Sequence, residues 1–281
     1  MGINIAIPYN VTEEATTEEE AVRKIGYIGR AAAIFRVKNV YIYTFKGSEE
    51  PRRALFIKKN LEYLVTPPYL RKDLFGLDPD LRLAGLLQPL NLPVFGHRRG
   101  DVKVHEVRVG LVIRWDGYYS VVKIGDEMYV KVPKPYPIKS LVAVSIDSVI
   151  DGKFYRGHVV KNANVYTGYT VSIVKLGELV GMGNLILTGK EGKSIISVMN
   201  ELRGLINKSG DITVVFGSPR MGVDEILKSE GLGDVLRRSL FVNFIPNQGL
   251  VTVRTEEAIV AVLSILNVIG SIPQPSGEGN L

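Results

Sequence analysis

The segment FIPNQGLVTVRTEEAIVAVLSIL, residues 244–266, decides how the chain folds. A strand-like apolar run breaks at Pro246-Asn247-Gln248-Gly249, and Arg254-Thr255-Glu256-Glu257 then precedes an apolar helix. One reading is a turn followed by a capped helix, with Thr255 as N-cap and two acids in the first turn. Acids there stabilise a helix start by about 0.3–1 kcal/mol each. The sharper reading is that backbone from both breaks lines a pocket. The neighbouring segments bear on the choice.

Upstream, GNLILTG (183–189), DITVVFGS (211–218) and RSLFVNFI (238–245) read as strands, the second buried on both faces by its continuous apolar run. Between them, residues 191–207 have helical spacing, with Ile195, Val198, Met199, Leu202 and Ile206 on one side, and 222–230 form a short helix. The start of the chain alternates in the same way. INIAIPY (3–9) and NVYIYTF (39–45) are strands. The helix over 16–35 carries Val22, Ile25, Ile28, Ala32 and Phe35 near one face, and Thr17 with Glu20 fits a capping box. A second helix, 49–65, stops before Pro67-Pro68. Alternation of this kind predicts an α/β domain with a largely parallel sheet.

The middle differs. From Arg108 to Val160 the chain shows five short strand runs, separated by Asp116-Gly117, Gly125-Asp126 and Asp151-Gly152 turns. Spacing of this kind predicts a small all-β barrel or sandwich. The expected division is a discontinuous α/β domain, 1–92 and 176–281, interrupted by an inserted β domain, 93–175. The insertion also carries the charge. It holds 13 Lys+Arg against 7 Asp+Glu, an excess equal to the net +6 of the whole chain, while the remainder balances at 22 against 22. A localised basic excess points to a polyanionic partner, although a merely solvated basic surface has the same sign. The insertion also contains Trp115 and seven of the thirteen tyrosines.

Composition removes several classes. The chain has 281 residues and no cysteine, so disulfides, thiolate metal sites and cysteine nucleophiles are excluded, and no metal site is expected. No signal peptide is visible, and the longest apolar run, 258–270, is too short to span a bilayer. A soluble cytoplasmic protein is expected. LTGKEGKS (187–194) ends like a phosphate-binding loop, but that motif needs glycine where Leu187 stands.

Three glycine-containing turns remain at successive strand ends: Thr188-Gly189, FGSPRMG (216–222) and FIPNQG (244–249). In a parallel sheet such loops converge on one crevice. Glu256 and Glu257 make the adjoining helix start hostile to phosphate, which helix N-termini otherwise attract. A neutral or cationic ligand suits this pocket better.

VNFIPNQGLVTVRTEEAIVAVLSIL (242–266) resembles the third cofactor motif of the SPOUT methyltransferases, and VVFGSPRMG (214–222) resembles their second. LVTPPYLRKDLF (64–75), LRLAGLLQPL (81–90), GYTVSIV (168–174) and TVRTEEAI (252–259) are similar to an archaeal and eukaryotic subfamily of RNA uridine-N3 methyltransferases. The resemblance covers nearly the whole chain, in order. It implies a trefoil-knotted α/β domain with an inserted OB-like barrel, a homodimer, and an RNA substrate, ribosomal RNA above all. It also implies S-adenosylmethionine held by Thr188, Gly189, Phe216, Gly217, Ser218, Asn243, Phe244, Ile245, Pro246, Gly249, Thr252, Val253 and Thr255.

Within that frame Arg254 is the first candidate for a cation that stabilises a uridine anion, and Glu257 the candidate base; an ion pair is the alternative for Arg254. Arg71 and Lys72, at a fixed exit angle after Pro67-Pro68, are candidate RNA-phosphate contacts, as are Arg98, Arg99, Lys131 and Lys134. Where subfamily members carry paired histidines, this chain has His97 followed by Arg98-Arg99. The competing function is a non-catalytic RNA-binding or ribosome-assembly protein that retains the knotted fold.

Overall fold

In a computed structural model, which describes residues 2–46, 51–96, 102–160, 165–208 and 210–271, the alternating pattern resolves into regular elements. Strand β1 (Ile3–Pro8) leads to helix α1 (Glu18–Ile34), strand β2 (Asn39–Thr44), helix α2 (Pro51–Val65) and the short α3 (Arg71–Phe75). Five strands follow: β3 (Val107–Trp115), β4 (Ser120–Gly125), β5 (Met128–Val132), β6 (Leu141–Val149) and β7 (Phe154–Val159). The chain then resumes α/β order. The elements are β8 (Thr170–Lys175), α4 (Leu176–Gly181), β9 (Leu185–Ser194), α5 (Ile195–Lys208), β10 (Ile212–Val215), α6 (Val223–Ser229), α7 (Val235–Arg238), β11 (Leu240–Asn243) and α8 (Thr255–Ser271).

Two compact units result, residues 1–59 with 169–281, and residues 60–168. The first is a six-stranded sheet in the order β11-β9-β10-β1-β2-β8. Every neighbouring pair in it is parallel. Its central strands are buried on both faces: Ile5, Ala6 and Ile7 of β1, and all four residues of β10, are shielded from water. Such continuous burial is what a parallel sheet covered by helices on both sides requires. Strand β8 pairs with β2 over its whole length, so Thr170–Lys175 belong to this sheet.

Helix α1 begins at Thr17, whose hydroxyl accepts the N–H of Glu20 at 3.2 Å. The expected reciprocal bond is displaced by one residue: the Glu20 carboxylate takes the N–H and hydroxyl of Thr16. Val22, Ile25, Ile28 and Ala32 are buried, and Phe35 is half-buried as the C-cap residue. On α5, Ile195, Val198, Leu202 and Ile206 are buried as the spacing predicts, but Met199 lies exposed beside Ile196. Met199 therefore belongs to an outward apolar strip.

The second unit contains a closed barrel of order β3-β4-β5-β7-β6. Its pairs are antiparallel except β5 with β7, which run parallel. Val112, Val122, Ile124, Val130, Val144 and Ile146 fill its interior. The turn residues act as anticipated. Asp116 Oδ1 accepts the N–H groups of Tyr118 and Tyr119, and Asp151 Oδ1 those of Lys153 and Phe154. Aspartates that bond the backbone two and three residues on are a standard means of closing such hairpins.

Candidate functional site

Strands β9, β10 and β11 lie together at one side of the sheet, and their carboxyl-terminal loops share one cavity of about 540 Å³. Each loop reaches it by a different device. In β9 the pairing with β11 jumps from Leu187↔Phe241 to Lys193↔Val242, so residues 188–192 loop out of the ladder. This is where the sequence ends like a phosphate-binding loop. The structure makes it a bulged strand that returns to pairing, not a wrap around an anion. Gly192 is what lets it return: a Cβ there would stand 2.6–2.8 Å from backbone atoms of Val242 and Asn243.

After β10 the chain turns at once. Ser218 N–H donates to the Met221 carbonyl at 2.9 Å, and Met221 N–H donates back to the Ser218 hydroxyl at 3.0 Å. A Cβ on Gly217 would meet the Met221 carbonyl oxygen at 2.9 Å, so only glycine lets this turn close. Behind it, the hydroxyl of fully buried Tyr43 donates to the Phe216 carbonyl at 2.6 Å. Burial pushes that phenol well above its ordinary pKa, so it stays a neutral donor. Thr188 donates to the Val215 carbonyl at 2.9 Å and ties the first loop to the second.

After β11, Asn243 bridges two loops. Its amide donates to the Lys190 carbonyl at 3.0 Å, and its Oδ1 accepts the Ile245 N–H at 3.0 Å. The chain then reverses through Asn247, in the left-handed region at φ 63°. The Gln248 side chain ties the reversal by donating to the Leu250 and Val251 carbonyls. Helix α8 opens against the second loop: the Thr255 hydroxyl donates to the Gly217 carbonyl at 3.3 Å. Thr255 is thus the first residue of the helix and a tether, not its N-cap. Arg254 occupies the position before the helix, and its backbone N–H donates to the Glu257 carboxylate at 3.0 Å.

The cavity wall contains Thr188, Gly189, Phe216, Gly217, Ser218, Asn243, Phe244, Ile245, Thr252, Val253, Arg254 and Thr255. Pro246, Gly249 and Glu257 do not line it. Residues that sequence reasoning did not single out also contribute, among them Glu14, Lys190, Glu191, Arg220, Asp224 and Glu225. Glu14 comes from the segment after β1, and the strand-end rule applied to the neighbour of β10 would have found it. The titratable lining is four acids against three bases, which is no cluster for a polyphosphate. Beneath Glu14, the buried ammonium of Lys24 is paired with Glu14 and, at 3.1 Å, with Glu256. One of the two acids at the start of α8 is therefore neutralised from within the fold.

The candidate RNA contacts lie in the other unit. Arg71 turns inward. Its guanidinium lies 4.5 Å from the Tyr63 ring centroid and donates to the carbonyls of Thr66 and Leu64, closing the carboxyl end of α2. Lys72 and Lys134 are exposed, and Lys131 stands half-exposed on β5. Arg98 and Arg99, with His97, lie outside the described residues. Among the described residues no group of three or more His, Asp or Glu is placed to hold a metal, and no helix is long and apolar enough to cross a membrane.

An uncharacterized protein of Halobacterium salinarum is 29% identical over 94% of this chain and 98% of its own length. The 28S rRNA (uridine-N(3))-methyltransferase of Homo sapiens is 29% identical over 94% of this chain and 77% of its own. The Drosophila melanogaster protein of the same name is 28% identical over 94% of this chain and 61% of its own. A family model described as "Putative RNA methyltransferase" matches residues 2–266. With a single model spanning both the parallel sheet and the inserted barrel, the chain belongs to that RNA methyltransferase family.

Proposed function

We propose that this chain transfers a methyl group from S-adenosylmethionine to N3 of a uridine in ribosomal RNA. The observation that carries this reading is one cavity built from three strand-end loops and the start of α8, without a basic cluster. A donor that bears a sulfonium and no phosphate fits that lining. The glycine at 217 and the loop-out at 188–192 bring bare backbone to the cavity, where main-chain groups can hold an adenine and a ribose edge-on. The relatives named as uridine-N3 methyltransferases support the choice of acceptor.

When bound, S-adenosylmethionine supplies an electrophilic methyl group. The protein's part is then placement and charge. Backbone at 216–218 and 243–245 orients the donor, and proximity accounts for much of the rate gain. The uridine N3 proton passes to solvent water, and Arg254, in the cavity wall, stabilises the resulting anion. Glu257 acts through Arg254 by fixing its backbone N–H, and is a positioning residue.

The finer architecture is proposed with it. The return of the chain from β11, across to the Gly217 carbonyl through Thr255, supports a trefoil knot. The five-strand order with one parallel pair supports an OB-like insertion. Exposed Ile196 and Met199 on α5 and Val260 and Val268 on α8 support a homodimer. Lys72, Lys131 and Lys134 are proposed to meet RNA phosphates.

Titration calorimetry with S-adenosylmethionine, followed by methyl transfer to ribosomal RNA and mapping of the modified base, tests the reading. One donor site per chain and a 3-methyluridine product are expected. Absence of donor binding, or a methyl group on another base, overturns it.

A further inference from the structure

We infer that the outer face of β5 and β7, with the β3–β4 hairpin, is a stacking platform for unpaired RNA nucleotides. Along β5 the side chains alternate, Met128, Val130 and Val132 inward and Tyr129 and Lys131 outward. Strand β7 runs parallel beside it in the register Tyr129↔Phe154 and Lys131↔Arg156. The Tyr129 and Phe154 rings are stacked, with centroids 5.5 Å apart and planes at 28°. The Lys131 ammonium lies 5.4 Å from the Phe154 ring centroid and 6.0 Å from that of Tyr119. One cation therefore joins the strand face to the hairpin. In the turn of that hairpin Tyr118 is 81% exposed.

Trp115 ends β3 in register with Ser120 and Val132, on the barrel-interior side, whereas Tyr118 stands in the turn next to Tyr119, the ring that Lys131 approaches. The turn is not loose. Asp116 Oδ1 holds the Tyr118 and Tyr119 N–H groups at 3.0 and 2.8 Å, and Asp116 N–H donates to the Tyr119 carbonyl. The rings are thus presented on fixed backbone, which lowers the ordering cost of binding. Every base has a π-face, so rings interleaved with cations suit unpaired nucleotides irrespective of sequence. A duplex hides those faces.

The local charges set the balance of forces. Arg114, Lys131, Lys153 and Arg156 stand on or beside this face, but Asp116, Asp151 and Glu127 stand there too. Both aspartates are occupied by their own turns, and Glu127 pairs with Lys153 at 2.8 Å. The surface grips by stacking first and tracks phosphate second. Its salt slope is accordingly shallow, on the order of −1 to −2.

This inference refines the RNA reading above and is tested on the full chain. A labelled oligouridine and a duplex RNA of equal length are titrated by fluorescence anisotropy. The single strand is expected to bind more tightly. Tyr118→Ala is expected to lower its affinity about five- to 150-fold, whereas Tyr118→Phe, which keeps the ring, preserves it. Equal affinity of the alanine variant and the unaltered chain overturns the platform, as does a duplex bound as tightly as the single strand. Calorimetry with S-adenosylmethionine on the same variants separates the two readings. Failure of the donor to bind the unaltered chain removes the methyltransferase reading and leaves the platform standing. Donor binding alongside unchanged oligouridine affinity in the variants removes the platform alone.

Discussion

The hydroxyl of Thr255 donates to the carbonyl of Gly217 across 3.3 Å, and this bond joins the start of α8 to the loop that follows β10. The partners are 38 positions apart in sequence and both lie in the cavity wall. Removing the donor leaves a part-buried carbonyl unsatisfied, which costs on the order of 1–3 kcal/mol. Thr255→Val is therefore expected to weaken S-adenosylmethionine binding by about tenfold, while Thr255→Ser retains it. Calorimetry of the two variants checks this; equal affinity in both would show that the tether does not shape the site.

Gly217 itself has no tolerance for a side chain. A Cβ at 2.9 Å from the Met221 carbonyl oxygen must push backbone, since no flexible side-chain end is there to yield. Gly217→Ala should open the 218–221 turn and abolish donor binding. Fold is expected to survive, because the turn lies at the rim of the sheet, and circular dichroism would verify that. Full donor affinity in Gly217→Ala is the contrary outcome.

Lys24 is a stability device. Its side chain is 6% exposed and paired with Glu14 and Glu256, and Glu256 Oε2 makes no hydrogen bond of its own. Lys24→Met fits a chain of similar length into the same space but leaves Glu256 without its cation. Breaking one side of a buried pair costs about 3 kcal/mol or more, reduced here because Glu14 remains partly solvated. Adding Glu256→Gln should recover most of the loss. Urea unfolding of the single and double variants decides it: no recovery in the double would mean that packing, not charge, is what Lys24 supplies.

Much of this was legible in the sequence, for identifiable reasons. Continuous apolar runs mark β1 and β10, a 3.6-residue period marks α1, and short strand runs between turn residues mark the barrel, because burial follows the backbone. Strand-end glycines located the cavity, because a parallel sheet brings those ends together. What the sequence did not disclose depends on partners far along the chain. Thr255 looked like a cap because its bond to Gly217 crosses 38 residues. Arg71 read as an RNA-phosphate candidate because nothing local shows that it will lie over Tyr63. Met199 has the spacing of a core residue, yet α5 leaves it in water beside Ile196. The sequence excluded a nucleotide loop at 187–194 but did not show that 188–192 bulge out of β9, because the jump in register is set by the partner strand β11.

Asp211 supplies a pH dependence. The Lys38 ammonium, bonded to its carboxylate at 2.9 Å, holds that carboxyl below its ordinary value of 3.8, with the Gly2 N–H adding to the effect. A depressed folded-state pKa stabilises the fold above the unfolded value and loses that contribution as pH falls through the folded one. The pair is exposed, so the effect is at most a few tenths of a kcal/mol. Asp211→Asn should lower the melting temperature slightly and uniformly at neutral pH, with the gap closing as pH falls below the ordinary carboxyl value. A gap that widens in acid contradicts this assignment.

Arg254 offers the sharpest separation of binding from chemistry. Its backbone is pinned by Glu257 at the mouth of α8, while its side chain belongs to the cavity wall. In the proposed mechanism the stabilised anion exists only while the uridine N3 is deprotonated, so the guanidinium would act on the reaction and not on the donor. Arg254→Ala should reduce methyl transfer by about 100-fold or more and leave donor affinity within about twofold. Arg254→Lys keeps the charge but not the planar fork, and should fall between the two. Glu257→Gln still offers an oxygen to the Arg254 N–H and should retain most activity, whereas Glu257→Ala loses the bond and with it the placement. Single-turnover rates at saturating donor, beside calorimetric donor affinities, separate the cases. If Arg254→Ala loses donor binding as fully as it loses rate, the guanidinium belongs to the donor's pocket, and the group that stabilises the uridine anion lies elsewhere in the wall.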